Sequence, residues 1–416
     1  MLRIFHTADW HLGQTLHQHD RGYEHAQFLD WLLLTLQDRQ PDVLLLSGDV
    51  FDTLNPPAAA LRRFYTFLAA ARAALPKLQI LLTAGNHDAP ARLEAPSPLL
   101  DSLRITVVGT IPSESDSPSN PSKFLVPLRD ASGTVAAIAL AVPFLRPSDV
   151  PPLPDAANPY GEGVAQFYRQ LTEQAESLRS QLYPGAALLA LGHCHIQDAL
   201  ESRDSERSLV IGGSESLPTS LFPPALCYVA LGHLHRPQSL DGGRIRYSGS
   251  PIPLSFSEKD YPHALLEVEL DGPRLIRVTP LPIPRAVSLL RIPERGALPL
   301  EELLHEIRTR SFPTDLPAEQ HPFLEIRVLD DGPDPSRRRR IEEALADKPV
   351  RLASLRLESR KPAGAIPHAL ANATLEELVA MNPEEILRSA HRELYQTEPE
   401  PEVLSALAQI LRETAL

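Results

Sequence analysis

The chain has 416 residues, 43% of them hydrophobic, with 53 acidic against 40 basic side chains and a formal net charge of −13. Such a length favours two or three domains, the apolar share excludes a disordered chain, and the acidic balance excludes a global electrostatic attraction to nucleic acid. Two cysteines, Cys194 and Cys227, cannot build a disulfide framework.

From its first residues, MLRIFHTADW, the chain has neither a basic leader nor a long apolar stretch, so it does not read as a secretory signal. The longest apolar run, VAAIALAV at 135–142, falls short of the ~18 residues of a membrane span. A soluble, cytoplasmic protein without membrane contact is expected.

In chain order, residues up to about 260 repeat one rhythm, a short apolar run followed by glycine or a polar cluster. LRIF (2–5) leads into HTADWHLG, DVLLL (42–46) into SGDVFD, and LQILL (78–82) into TAGNHD. ALLAL (187–191) leads into GHCH and YVAL (228–231) into GHLH. Each run has the length and apolarity of a strand buried on both faces. YEHAQFLDWLLLTLQ (23–37) and AAALRRFYTFLAAARAAL (58–75) have helical length and spacing, so the fold class is α/β, a β-sandwich flanked by helices. The segments ESDSPSNPS (114–122) and RPSDVPPLPD (146–155) read as surface loops.

Beyond about 285 the pattern changes. VSLLRI, LEELLHEIRTR, FLEIRVL, SRRRRIEEALAD and VRLASLRLES predict a small β-α-β-α-β domain over 285–360, capping the first domain of 1–284. A linker, KPAGAIPHALAN (361–372), and C-terminal helices occupy 361–416. These helices open with a capping box at Thr374–Glu377 and restart at Asn382-Pro383, an N-cap followed by proline. Val403, Leu404, Leu407, Ile410 and Leu411 form one apolar stripe, which fits docking on the chain's own core or on a partner. The arginines at 337–340 read equally as a solvated helical face and as a contact to a nucleic-acid backbone.

The residues that end the five apolar runs carry the chemistry. They are Asp9 and His11; Asp49 and Asp52; Asn86, His87 and Asp88; His193 and His195; and His233 and His235. Taken alone, GDVFD and GNHD are ordinary turn sequences and a single H-x-H is a common loop feature. Five polar clusters at the same structural position imply one shared site, because ligands of open α/β folds bind outside the carboxyl ends of the strands. Imidazole, carboxylate and amide donors suit Mn, Fe or Zn. Seven ligands exceed one tetrahedral ion and match two ions sharing a carboxylate. Ions about 3.5–4 Å apart clamp the oxygens of a phosphoryl displacement.

The string DxH, GDxxD, GNHD, GH and GHxH resembles the calcineurin-like metallophosphoesterase superfamily. DWHLGQTL (9–16), GDVFD (48–52), GNHDAPARLEA (85–95), FPPALCYVALGHLHRPQ (222–238) and YSGSPIPLSFSEKD (247–260) look like its SbcD branch, nuclease subunits that pair with an SMC-like ATPase. The resemblance implies that Asp9, His11 and His235 hold one metal and Asn86, His193 and His233 the other, with Asp49 bridging. His87 then stabilises the phosphate or protonates the departing 3′ oxygen. Two Mn²⁺ are the implied cofactors, with Mg, Fe and Zn as alternatives.

His195 departs from the branch, which commonly has a hydroxyl residue there, and is assigned to the layer behind the ligands. Asp52 is expected to order its turn. Asp88 marks a diesterase in the family pattern, which has glutamate there in protein phosphatases. Arg92, Arg236 and Ser250 are candidate phosphate contacts. The implied activity is that of a DNA exonuclease and endonuclease, in a homodimer and a heterotetramer with an SbcC-like SMC ATPase. ATP belongs to that partner, since this chain has no GxxxxGK[ST] loop. The rival readings are a phosphodiesterase or phosphatase acting on small substrates, and a catalytically inactive metal-binding scaffold.

Overall fold

The computed structural model describes residues 1–111, 123–150, 153, 156–202, 216–332, 334–359, 382–395, 398–400 and 403–407. The chain forms two compact units, one of residues 1–290, 313–324 and 349–353, the other of 291–312, 325–348 and 354–416.

The first unit opens with β1 (Leu2–Thr7), a short hairpin of β2 (Thr15–Leu16) and β3 (His19–Asp20), α1 (Gly22–Arg39), β4 (Val43–Ser47) and α2 (Ala58–Ala74). It continues with β5 (Gln79–Thr83), α3 (Pro90–Glu94), α4 (Ser97–Leu100), β6 (Ile105–Val108), β7 (Leu125–Arg129) and β8 (Val135–Ala141). Then come α5 (Pro159–Leu182), β9 (Ala187–His193), β10 (Tyr228–Gly232), β11 (Gln238–Leu240), β12 (Ile245–Tyr247), β13 (Ala264–Asp271) and β14 (Arg274–Pro282).

Two six-stranded sheets result, in the orders β14-β13-β1-β4-β5-β6 and β11-β12-β10-β9-β8-β7. Each has a parallel centre: β1, β4, β5 and β6 in one, β8, β9, β10 and β12 in the other. Antiparallel strands finish the edges. The run 135–142, too short to span a membrane, is the central strand β8. No helix of the described residues is long and apolar enough to cross a membrane.

Side-chain alternation explains the layering. Along β4, Val43 and Leu45 enter the core between the sheets, while Leu44 and Leu46 point to the opposite face. That face is covered by Phe28, Leu32 and Leu36 of α1 and by Phe64, Phe67 and Leu68 of α2. Val164, Tyr168, Leu171 and Ala175 of α5 pack on the second sheet. A leucine buried on such a strand contributes about 1.5–3 kcal/mol. The two central strands β4 and β9 are buried at every residue, which accounts for their unbroken apolar runs.

The remaining elements run in the order β15 (Leu289–Ile292), α6 (Leu300–Thr309), β16 (Phe323–Asp330), α7 (Arg337–Leu345) and β17 (Arg351–Ser359), the strands forming a three-stranded sheet β15-β16-β17. On it, Glu325 is fully buried and its carboxylate lies 2.5 Å from Arg291, 2.9 Å from Arg327 and 3.0 Å from Arg356. All four arginines at 337–340 have carboxylate partners: Arg337 with Asp330 and Asp331, Arg338 with Glu342, Arg339 with Glu343, and Arg340 with Glu301. The paired, solvated helical face is what the arrangement supports.

A last helix, α8 (Pro383–Tyr395), starts after Asn382, whose side chain accepts from the Glu384 amide at 3.0 Å. Residues 403–407, with Val403, Leu404 and Leu407, are helical. The linker 361–372, the capping box at Thr374–Glu377, the loop 114–122, and Ile410 and Leu411 lie outside the described residues.

Candidate metal centre

The parallel strands deliver the polar clusters to one place. Asp9 and His11 follow β1, Asp49 and Asp52 follow β4, and Asn86 to Asp88 follow β5. His193 ends β9, and His233 and His235 follow β10. Backbone bonds stitch these ends together: Asp9 N donates to Gly48 O at 3.1 Å and His11 N to Asp49 O at 3.0 Å. Across the sheets, the His233 amide donates to Asp9 Oδ1 at 2.9 Å.

The loops are tightly bent. Asp9, His11, Asp49 and His233 have φ of 53°, 42°, 48° and 97°, a region that non-glycine residues seldom adopt. Such strain persists only where surrounding structure over-determines it. Trp10, between two candidate ligands, is one such determinant. It is fully buried, donates to Thr7 Oγ1 at 2.9 Å, and packs edge-on against Phe28, Phe64 and Phe67. The glycines before the ligands are dictated by close approach. A Cβ on Gly232 would sit 1.9 Å from Ser47 O, and one on Gly85 2.1 Å from Asp49 Oδ1.

Three overlapping groups of ligand atoms emerge, Asp9–His11–His235, Asp9–Asp49–His193 and His11–Asp52–His87, the atoms of each lying within 4.8 Å of one another. Asn86 Oδ1 lies 3.0 Å from His193 Nε2 and 3.1 Å from His233 Nδ1. His193 Nδ1 lies 2.9 Å from the Ser47 carbonyl and donates to it. Its Nε2 therefore faces Asn86 Oδ1 and Asp49 Oδ2, the latter at 3.3 Å. A proton on Nε2 satisfies this junction in the absence of a metal, and a cation shared by the three atoms can take its place. Asp9 Oδ2 and His11 Nε2 are buried with no hydrogen-bond partner among the described residues. Unpartnered buried polar atoms of this kind are costly unless a ligand takes them. The donor set of imidazole, carboxylate and amide fits a divalent ion.

The charges of the ion-free cluster fit the same geometry. Burial raises the Asp9 carboxyl to about 7. Burial also pushes Asp49 up, but the facing imidazoles of His193 and His11 outweigh it and hold its carboxyl below the ordinary range. Burial pulls His193 down, yet the Asp49 carboxylate prevails and lifts it to about 9. In effect a proton stands where a cation fits.

His87 is half-buried beside this cluster, its ring 4.7 Å from that of His11. Its amide donates to Asp49 Oδ1 at 2.8 Å, and its Nδ1 donates to the Asp52 carbonyl at 2.8 Å, which leaves Nε2 for chemistry.

The other sequence candidates sort by their contacts. Asp52 does more than order its turn, since Oδ1 lies 3.1 Å from His11 Nδ1 and so turns His11 Nε2 toward the cluster. Asp88 faces no substrate. It is fully buried and accepts from the amides of Val50, Phe51 and Gly85 at 3.2, 3.0 and 2.9 Å, tying the β4 and β5 loops together. Burial, reinforced by the Asp49 charge, raises its carboxyl to about 6. Ser250 is fully buried too, its hydroxyl 3.4 Å from Glu258 Oε2.

Arg92 is exposed and donates to Asn55 Oδ1 at 2.5 Å, and Arg236 is exposed and stacks over Tyr261 at 5.5 Å. His195 stands outside the ligand groups found among the described residues, with Nδ1 3.0 Å from Glu201 Oε1. Cys194 and Cys227 are free thiols, and burial raises Cys194 to about 12, which disfavours a thiolate ligand. One residue escapes sequence reasoning. Glu258, in SFSEKD, is fully buried and places Oε1 2.9 Å from His235 Nδ1.

A model of calcineurin-like phosphoesterases matches residues 2–237, and a model described as a type 5 capsule protein repressor C-terminal domain matches 285–395. The chain is similar to a protein of Rhodobacter capsulatus named as the D subunit of the nuclease SbcCD, 43% identical over 91% of this chain and 94% of that one. Proteins of the same name are 38% identical in Escherichia coli, over 62% of either chain, and 37% identical in Bacillus subtilis, over 64% of this chain and 66% of that one. With the fold, the strand-end ligands and these relatives in agreement, the chain belongs to the calcineurin-like phosphoesterase family, in its SbcD branch.

Proposed function

We propose that this chain is a metal-dependent phosphodiesterase that cleaves DNA, as exonuclease and endonuclease, within an ATP-dependent cytoplasmic repair complex. The observation that carries this reading is the convergence of Asp49 Oδ2, Asn86 Oδ1 and His193 Nε2, with the unpartnered Asp9 Oδ2 and His11 Nε2 beside it. Asp9, His11 and His235 would hold one Mn²⁺ and Asn86, His193 and His233 a second, with Asp49 shared. Two such ions supply Lewis acidity and an activated water to an anionic diester.

The protein's own part is positional and protic. Asp52 and Glu258 orient His11 and His235, and the Ser47 carbonyl orients His193. His87, its Nδ1 proton committed to the Asp52 carbonyl, offers Nε2 to hold or deliver a proton at the departing 3′ oxygen.

An SMC-type ATPase is the proposed partner, bound through residues 361–416, with 285–360 as a capping domain. The groove between α1 and α2, lined by Ala26, Leu29, Leu33, Phe67 and Ala70 with Asp30, Arg62 and Arg63, supports placing a homodimer contact on that face. The deciding experiment measures bound metal and cleavage of linear duplex DNA for wild type and Asp49→Ala, with and without the ATPase, in Mn²⁺ and in Mg²⁺. Loss of both metal and cleavage in the variant is expected. Turnover of p-nitrophenyl phosphate without cleavage of DNA or of bis-p-nitrophenyl phosphate would overturn the proposal in favour of a monoesterase.

A further inference from the structure

The two halves of the cluster differ in what stands behind their imidazoles. In the Asp9–His11–His235 half both histidines are backed by carboxylates: Asp52 Oδ1 lies 3.1 Å from His11 Nδ1, and Glu258 Oε1 lies 2.9 Å from His235 Nδ1. In the other half His193 is backed by the neutral Ser47 carbonyl at 2.9 Å, and Asn86 contributes a neutral amide oxygen. Asp9 and Asp49 reach both halves, so the difference lies in the two carboxylates behind His11 and His235 against the neutral carbonyl behind His193.

Glu258 is held as a fixture. Its side chain is 0% exposed, Oε2 accepts from the Leu254 amide at 2.8 Å and lies 3.4 Å from Ser250 Oγ. The Ser250 amide closes the loop by donating to His235 O at 3.1 Å. A carboxylate in this place fixes the ring so that Nε2 carries the lone pair, raises ligand basicity, and adds negative charge where water screens little.

We propose that Glu258 is the positioning residue of His235 and that, with Asp52, it makes the Asp9–His11–His235 half the tighter of two unequal metal positions, so that ions load in order, this half first. The inference rests on the two-ion reading above and adds an order and a cause to it. Glu258→Gln is the informative change because it is isosteric. If its oxygen keeps the Leu254 amide, its NH₂ faces His235 Nδ1 and forces the proton onto Nε2, which removes the lone pair that a metal needs.

The test titrates Mn²⁺ into the metal-stripped full-length protein, reading free ion by electron paramagnetic resonance and heat by calorimetry. Wild type should bind in two steps of different affinity. Glu258→Gln should weaken the tight step by about 10- to 100-fold and leave the weak step in place. Asn86→Ala should remove the weak step alone. Should Glu258→Gln fail to fold, Asp52→Asn, at a side chain 28% exposed, should weaken the same tight step.

Two equal steps in wild type, an unchanged tight step in a folded Glu258→Gln, or an effect on the weak step would each overturn the inference. Wild type that binds one ion or none overturns the two-ion reading itself, which separates the two failures.

Discussion

Single residues do different work at this site, and their contacts tell them apart. His87 shares a loop with Asn86 and Asp88, yet only its Nε2 is uncommitted, whereas Asp88 spends both oxygens on three backbone amides. His87→Ala should therefore lower DNA cleavage by about 10²–10⁴-fold while bound metal, measured by atomic emission, stays at the wild-type level. Titration follows from the same contacts. In the ion-free fold Asp9 is raised from 3.8 to about 7 and His193 from 6.5 to about 9, so the folded state binds more protons than the unfolded chain across both windows. Ion-free stability from these two groups accordingly falls as pH rises through about 4–7 for Asp9 and about 6.5–9 for His193. Metal needs both groups deprotonated, so the sign reverses on loading. The rise in Tm produced by Mn²⁺ should grow between about pH 6 and pH 9, as thermal melts with and without the ion would show.

At the scale of elements, the site is the consequence of strands that end in strained turns pinned from beneath. Trp10 anchors the turn after β1 into the helix-covered core. Trp10→Ala should cost about 3–5 kcal/mol in denaturant unfolding and should also weaken metal binding, because the Asp9–His11 turn loses its anchor. Gly232→Ala should cost about 1–3 kcal/mol in the same assay, since its Cβ would meet the rigid Ser47 carbonyl. In the three-stranded sheet Glu325 gathers arginines from β15, β16 and β17. Removing it takes a buried carboxylate from three arginines at once, so Glu325→Ala should destabilise by about 3–5 kcal/mol. Helix α5 buries Val164, Tyr168, Leu171 and Ala175 at helical spacing, a stripe present in the sequence, and β13 and β14 form an antiparallel hairpin whose register shifts between Glu269 and Leu270.

At the scale of the whole molecule, the candidate ligands and the stretch proposed for partner binding lie apart along the chain. Every candidate ligand falls between residues 9 and 235, and none comes from beyond 285. Removal of residues 361–416 should therefore leave Mn²⁺ binding intact and abolish co-purification with the ATPase, a pull-down that would fail to separate the strains if the tail were dispensable. The net charge of −13 would set no obstacle to DNA at such a site, because the pair of divalent ions proposed there would reverse the local field that two aspartates create.

The sequence alone determined that five strands end in metal-type residues, because a strand buried on both faces must be a continuous apolar run and glycine stands before Asp49, Asn86, His193 and His233 where each packs closely. Local periodicity carries that information within a few residues. Only the tertiary structure decided which donors meet, which imidazole nitrogen faces the centre, and that Asp88 braces loops while Glu258 backs His235. Those depend on approaches between segments up to 224 positions apart, as between Asp9 and His233, and no local pattern encodes such distances. Glu258 follows His235 by 23 positions in a block, YSGSPIPLSFSEKD, that carries the family resemblance without a role for its glutamate, and it becomes a buried carboxylate only when that segment folds back beneath the histidine.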